Sequence, residues 1–401
     1  MSTCDENGIS RLRVMFFEGG EFGGSVACLG EMITGLAALG CEIGLVLHYR
    51  RTGPVDLGSI DGVQFRQFLD LTPKARPRPE IAVRRFGIPR PTRFGIRYFV
   101  VALRALRRFR PDIAYFNNEI EGSIPAAIAA KFLGIPTICH LRIARDQYRI
   151  EKVFARFYDQ LIVLTKVGQQ VVQASGIPIQ KVKQIYDPFD VSAFTARIQE
   201  PLCLEIPWDN NCVYVIQVGT LNNRKRPMLA LDAFAHAQAQ CPNLRLIFAG
   251  SGPLYGALQQ EVSSRGLDGC VHLIGDCLQI PALLRHCDIG LFVSASEGTG
   301  LVILEFMAAG LPVVTWNMPV LEEVGVNDEI GIVVKQDNAE NFGEALVKLC
   351  RSAELRKRLG HNGRNRIRED GRFYPETHNR EILDVLTANV RERKRCRYPS
   401  D

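Results

Sequence analysis

Two acidic residues frame one short stretch of the sequence. Glu297 and Glu305 stand eight positions apart, and the run 301–309 around the second acid is otherwise apolar, which predicts a largely buried helix. The turn and the first helical residues between the acids are Gly298, Thr299, Gly300, Leu301 and Val302. A glycine-containing turn at a helix start directs unpaired N–H groups outward, at the positive end of the helix dipole. This arrangement favours an anion such as a diphosphate.

Glu305 is unusual because its neighbours in LVILEFMAA are apolar. A carboxylate in such a helix needs hydrogen-bond donors, which sugar or ribose hydroxyls would supply. A solvated or core-edge glutamate beside an ordinary glycine turn is the alternative interpretation. Gly310 and Pro312 then end the helix before a new strand.

A second candidate anion site follows the predicted strand at 213–219. Its loop contains the cations Arg224, Lys225 and Arg226, and Pro227 suits the first turn of the next helix. A solvated cationic turn is the alternative. The next predicted strand leads into the turn Gly250-Ser251-Gly252-Pro253.

The first half of the chain contributes fewer candidates. A βαβ unit opens on a loop containing Gly23 and Gly24, but the spacing is not that of a dinucleotide fingerprint. His140 ends a buried strand, at the position where open α/β sheets bind ligands. A satisfied core histidine is the alternative. Alternation of strands and helices along the chain predicts an α/β protein with two successive doubly wound halves.

Together these motifs resemble those of the retaining GT-B glycosyltransferases of family four. The resemblance rests on the E-x7-E pair, the following Gly-Leu-Pro-Val-Val, the Lys225 position, the G-x-G-P turn and the strand that ends in His140. It implies two Rossmann-like domains facing across a cleft. The expected organisation is an acceptor-side domain at 1–194, a linker at 195–211, a donor-binding domain at 212–373, and a helix at about 374–393 that returns to the first domain.

The resemblance also implies roles for single residues. Glu305 would bind the ribose hydroxyls, Glu297 the donor sugar, and Lys225 the diphosphate, while His140 would contact the sugar near the reacting carbon. Glu297, His140 and Lys225 are thus the candidate catalytic residues. Backbone at Gly23, Gly24 and Gly252 would border the donor. Thr220 replaces the family's phosphate-binding arginine, a role that Arg224 could take over, and Asp187-Pro188 replaces an Asn-Gly pair.

Composition and charge narrow the class of protein. The 401 residues carry a net charge of +6, twelve scattered cysteines, no metal-binding cluster, no D-x-D motif and no apolar run of membrane-spanning length. We therefore expect a cytoplasmic protein without a bound metal or cofactor, and the resemblance implies an enzyme that uses a nucleotide-diphosphate sugar as co-substrate. The segment 74–110 alone carries a net +11. It is either a solvated basic face or a surface for anionic membranes, and it lacks a nucleic-acid motif.

The predicted function is transfer of a sugar from a nucleotide-diphosphate donor to an acceptor hydroxyl, in cell-surface polysaccharide or glycolipid synthesis. The acceptor would be a sugar or a lipid-linked molecule, and in the membrane-surface alternative the enzyme would be peripheral on the inner face of the membrane. Two rival hypotheses remain open. One is a nucleotide-sugar epimerase of the same architecture, and the other is a catalytically weakened donor-binding partner.

Overall fold

The computed structural model describes residues 11–19, 24–48, 57, 59–69, 93–118, 120, 122–142, 151–204 and 206–397. The chain divides into two compact units. Unit 1 comprises residues 1–188 and 375–401, and unit 2 comprises residues 189–374. Residues 189–211, where the sequence suggested the end of the first domain and a linker, therefore belong to unit 2.

Unit 1 is built on a parallel sheet of seven strands in the order β3-β2-β1-β4-β5-β6-β7. The central strands are buried on both faces, as their continuous apolar runs require. The strands are Arg13–Glu18 (β1), Glu42–Leu47 (β2), Val63–Phe68 (β3), Ile113–Asn118 (β4), Thr137–Leu141 (β5), Gln160–Val163 (β6) and Val182–Gln184 (β7). The first helices are Gly24–Ala38 (α1), Arg93–Phe109 (α2), Ile124–Phe132 (α3), Glu151–Phe154 (α4) and Lys166–Ala174 (α5).

Unit 2 repeats this plan with a parallel sheet of six strands in the order β10-β9-β8-β11-β12-β13. The strands are Val213–Val218 (β8), Leu244–Ala249 (β9), Val271–Gly275 (β10), Ile289–Leu291 (β11), Val313–Trp316 (β12) and Gly331–Val334 (β13). The helices are Val191–Arg197 (α6), Pro227–Gln238 (α7), Tyr255–Ser264 (α8), Ile280–Leu284 (α9), Leu301–Ala309 (α10), Pro319–Glu323 (α11), Ala339–Arg351 (α12) and Ala353–Glu369 (α13). Short 3-10 turns occupy Ala155–Phe157, Ile179–Lys181 and Gly371–Phe373.

The last helix, Pro375–Arg397 (α14), belongs to unit 1 and packs on α1. Its apolar side chains Ile382 and Leu386 are fully buried in the core that covers one face of the first sheet. The Nδ1 atom of His378 donates a 2.7 Å hydrogen bond to the Tyr186 carbonyl just after β7. The chain's final segment is therefore part of the first folding unit rather than an appendage.

The strand order reverses direction at one point in each sheet, between β1 and β4 and between β8 and β11. Chain segments leave such a point on opposite faces of the sheet, which opens a crevice outside the carboxyl ends of the strands. In unit 2 the loops that follow β8 and β11 contain Arg224, Lys225 and Glu297. The strand order therefore places at one edge of the sheet two loops that the sequence predicted as separate candidate sites.

Candidate active site

The helix α10 has the bounds that the sequence predicted, Leu301–Ala309. Gly300 precedes it with φ 78° and Gly310 ends it with φ 77°, both left-handed conformations that glycine adopts without a steric penalty. Leu301 and Val302 are its first residues, so their N–H groups lack acceptors within the helix. The 298–302 turn therefore presents backbone donors and the positive end of a helix dipole.

The cationic loop after β8 reaches Glu297. The Arg224 Nη1 atom and the Lys225 Nζ atom each lie 2.8 Å from the same Glu297 Oε1 atom. Arg224 also donates to the Ser296 carbonyl at 3.0 Å. Two cations and one acid thus converge beside the start of α10, where the sequence analysis expected the diphosphate site.

The Lys225 turn is fixed by a buried side chain on β8 and a half-buried one in the loop. Gln217 donates a 2.7 Å hydrogen bond to the Lys225 carbonyl, and the Lys225 N–H donates to the Asn222 side chain at 3.0 Å. The Lys225 ammonium lies 5.1 Å from the centre of the Phe292 ring, within cation–π range. Sequence reasoning missed Gln217 and Asn222, although a polar Gln inside the apolar run VYVIQV is a visible signal.

The Glu297 side chain is only 9% exposed, yet the balance of forces keeps it ionised. Burial alone raises the pKa of this carboxyl, but attraction from Lys225 and Arg224 outweighs burial and lowers the pKa below its ordinary value. Charge attraction from the two cations is the main force that lowers this pKa, and hydrogen bonds from Lys225 and Ser294 add to it.

Glu305 behaves in the opposite way. Burial raises the pKa of this carboxyl to about 7, and the positive charges of Lys225 and Arg197 only partly offset that effect. The residue keeps some solvent exposure although protein encloses its carboxyl group. A carboxylate in this apolar helix needs hydrogen-bond donors, and its pKa is raised because the protein supplies too few charges and donors to offset its burial.

The Gly250–Pro253 turn lies against the beginning of the cationic loop. The Leu221 N–H donates to the Ser251 carbonyl and the Leu254 N–H donates to the Leu221 carbonyl, both at 2.9 Å. A Cβ atom on Gly252 would come within 2.5 Å of the Leu221 carbonyl oxygen, so only glycine allows this approach. Thr220, in the place of the family's arginine, is exposed beside this contact, and Arg224 instead contacts Glu297.

A separate polar cluster lies at the carboxyl ends of the unit 1 strands. His140 shares a hydrogen bond through Nδ1 with the Tyr115 hydroxyl. Burial, with further effects from the charges of Arg142 and His378, holds the pKa of His140 well below its ordinary value, so the ring is neutral. Its Nε2 atom is buried and has no hydrogen-bond partner among the described residues. Among the described residues the ring is thus hydrogen-bonded on one side only.

Sequence reasoning missed the acids and the amide of this cluster. Arg142 pairs with Asp187 and donates through Nε to the Asn117 side chain at 2.8 Å, while Asn117 in turn donates to Glu18. Glu18 and Asn117 each stand at the end of an apolar strand run, which was the available signal, whereas Asp187 follows the short polar strand β7 and gave none. Asp187 is one of the residues that replace the family's Asn-Gly pair, so this departure supplies a buried counter-ion for Arg142.

Several sequence expectations have a simple structural outcome. Gly24 begins α1, whereas Gly23 lies outside the described residues. Of the basic segment 74–110, residues 74–92 also lie outside them, and α2 exposes Arg104, Arg107 and Arg108 while it buries Tyr98.

Within the described part of the chain, no group of three or more His, Cys, Asp or Glu side chains could hold a metal ion. No described helix combines the length and apolarity needed to cross a membrane.

Two family models match successive parts of this chain. The model described as "Glycosyl transferases group 1" matches residues 205–366, and that described as "Glycosyl transferase 4-like domain" matches residues 23–187. The chain belongs to the group 1 glycosyltransferases. Its two parallel sheets with alternating helices are those of the GT-B fold, which confirms the predicted fold class of two Rossmann-like domains.

This glycosyltransferase is distantly similar to characterised proteins. It is 22% identical to the N-acetyl-alpha-D-glucosaminyl L-malate synthase of Bacillus anthracis over 65% of this chain and 71% of that protein. It is also 22% identical to the alpha-monoglucosyldiacylglycerol synthase of Acholeplasma laidlawii over 69% of this chain and 76% of that protein. The solved structure of Anabaena HepE in complex with UDP and glucose superposes with a TM-score of 0.72 at 18% identity, covering 94% of this chain and 100% of HepE.

Proposed function

We propose that this glycosyltransferase moves a sugar from a nucleotide-diphosphate donor to an acceptor hydroxyl, with retention at the anomeric carbon. The observation that carries the proposal is the convergence of Arg224 and Lys225 on Glu297, next to the start of α10 at the switch point of the second sheet. The HepE structure, solved with UDP and glucose, supports a nucleotide-sugar donor. The E-x7-E motif supports retention.

The costly event in such a transfer is departure of the nucleotide diphosphate. The bond from the anomeric carbon to the diphosphate oxygen breaks, and negative charge grows on the leaving group. Fixed positive groups aimed at that charge lower the barrier. Here they would be Lys225, Arg224 and the backbone N–H groups at 300–302, so we propose that the transfer needs no metal ion.

Arrival of the donor would exchange ion pairs rather than create new charges. The diphosphate would take over the contacts that Lys225 and Arg224 make with Glu297. Glu297, ionised because its pKa is lowered, would then accept hydrogen bonds from the donor sugar. Glu305 would accept from the ribose hydroxyls, which supply the donors that its site lacks. His140, whose Nε2 atom has no hydrogen-bond partner among the described residues, would contact the sugar near the reacting carbon.

We further propose a lipid-linked or saccharide acceptor in cell-surface polysaccharide or glycolipid synthesis, reached at an anionic membrane surface. The diacylglycerol-glucosylating relative supports a lipid acceptor. The exposed arginines of α2 and the 71% exposed Phe132 on the adjoining α3 support the membrane surface. Arg104→Glu with Arg107→Glu should reduce sedimentation with anionic liposomes, while Arg265→Glu should not. Equal sedimentation of all three proteins would contradict the membrane proposal.

The transfer itself is tested with single variants in unit 2. Lys225→Ala and Glu297→Ala should each abolish transfer, whereas Lys348→Ala, an exposed lysine on α12, should not. Thermal unfolding of the variants checks that they fold. Product NMR reports the anomeric configuration, and added EDTA tests for a metal requirement. Full activity of either site variant, or an altered sugar still attached to nucleotide when donor alone is supplied, would contradict the proposal.

A further inference from the structure

Arg226 adopts a backbone conformation that is unusual for its residue type. It has φ 48° and ψ 54°, in the left-handed region, at the residue that precedes α7. Residues other than glycine, asparagine and aspartate rarely occupy this region because Cβ crowds the backbone. Such a conformation persists only where surrounding contacts hold it. The contacts of the Arg226 side chain therefore bear on its role.

The guanidinium group of Arg226 contacts three neighbouring segments of unit 2. The Nε atom donates to the Val293 carbonyl at 2.6 Å, and Nη2 donates to the Ser294 carbonyl at 3.3 Å. Nη1 and Nη2 form a bidentate ion pair with the Asp337 carboxylate at 2.6 and 2.9 Å. The group also lies 5.7 Å from the ring centre of Trp316, whose Nε1 atom donates to the same Ser294 carbonyl.

These contacts join the cationic loop to the segment that leads to Glu297. Val293 and Ser294 are buried, so water cannot reach their carbonyl oxygens and protein donors such as Arg226 must satisfy them. The Ala295 N–H then donates to the Arg224 carbonyl at 2.8 Å, and Arg224 donates to the Ser296 carbonyl. The two loops are thus hydrogen-bonded at four successive residues, 293 to 296. Arg226 contacts residues 293 and 294, and Arg224 contacts residues 295 and 296, which lie closer to Glu297.

We propose that Arg226 is a positioning residue for the transfer reaction: it fixes the spacing between Glu297 and the Arg224–Lys225 pair before the donor binds, and Asp337 orients it for that task. This inference rests on the proposed function. Arg226 would not contact the donor. Its backbone conformation sets the direction in which Arg224 and Lys225 leave the loop, and its side chain holds the opposite loop in register with them.

Arg226→Gly is the informative variant because glycine accepts the left-handed conformation while the guanidinium contacts are lost. We expect kcat to fall about 100-fold, the loss associated with misplacement of reacting groups, with a smaller loss for Asp337→Asn. Guanidinium ion should partly restore turnover to Arg226→Gly and not to Lys225→Ala. Arg265→Ala, which removes another arginine paired with two acids in unit 2, is the control and should keep wild-type kinetics.

Calorimetry with inorganic pyrophosphate gives a second measurement that needs no turnover. The Arg226→Gly and Asp337→Asn proteins should both bind pyrophosphate more weakly than wild type. The milder Asp337→Asn variant provides the test if the Arg226→Gly protein does not fold. Wild-type kinetics and pyrophosphate affinity in these variants would overturn the inference. So would a loss of activity that merely follows the unfolded fraction and that guanidinium does not reverse. Absence of transfer by the wild-type protein itself would instead count against the proposed function.

Discussion

Replacement of Glu305 by glutamine should make the substrate-free protein more stable at about pH 8 and leave its stability unchanged below about pH 4.5. The reason is the environment of the carboxyl group within α10. Burial raises the pKa of Glu305 from 4.5 to about 7, even though Lys225 and Arg197 pull it downward. Glutamine has nearly the same shape as the protonated acid and cannot ionise, so it removes the cost of a buried charge.

The direction of this change in stability follows from how tightly Glu305 binds its proton in the folded and unfolded states. Between about pH 4.5 and 7 the folded protein keeps a proton on Glu305 that the unfolded chain has released, so stability falls as the pH rises through this window. Each pKa unit corresponds to about 1.4 kcal/mol, which gives a full difference of about 3 kcal/mol above pH 7. The advantage of Glu305→Gln should therefore grow from zero to about this value across the same window.

Urea unfolding of both proteins at a series of pH values measures the difference directly. Glu340→Gln, an exposed glutamate on α12, is the matched control and should show no such pH dependence. A Glu305→Gln protein that is less stable than wild type at pH 8 would refute the reasoning, because attraction from Lys225 would then exceed the cost of burial. Nucleotide binding should show the complementary effect. Hydroxyl donors would favour the ionised carboxylate, so binding should release protons near pH 6.

Three further predictions concern other parts of the two units. Glu297→Gln should lose transfer yet bind inorganic pyrophosphate more tightly, by up to about tenfold, because the two cations are no longer neutralised; calorimetry showing weaker binding would contradict this. The ring of His140 should be neutral at pH 6.5, where an ordinary histidine is half protonated, since burial lowers its pKa, and an NMR titration step near pH 6.5 that disappears in His140→Gln would disprove it. Gly250→Ala should destabilise the fold by roughly 1–3 kcal/mol, because its Cβ would lie 2.2 Å from the Gly219 carbonyl oxygen, whereas Gly256→Ala, with open space around it, should not. Urea unfolding of this pair decides the last point.

Local features of the fold were predictable from the sequence because they depend on near neighbours in the chain. The apolar run LVILEFMAA with a glycine on either side defines α10 at both ends, and the structure gives it the same bounds. The apolar segment before the Lys225 loop is likewise a strand. Alternation of strands with helices then suffices to indicate parallel sheets. The resemblance to group 1 glycosyltransferases rests on these same local motifs.

The arrangement of the site depended on tertiary structure. Lys225 and Glu297 are far apart in the chain, and their contact exists because β11 pairs with β8 rather than with β10. The placement of Arg226 was not visible either, since a third basic residue in a loop looks like a solvated charge. Local sequence patterns fix helix and strand periods, but hydrogen-bond partners across a sheet follow from strand order, which no short stretch of sequence encodes. Residue types and spacing were therefore enough to identify Arg224, Lys225 and Glu297 as candidate site residues, whereas the strand order of the second sheet brings those cations and that acid into contact.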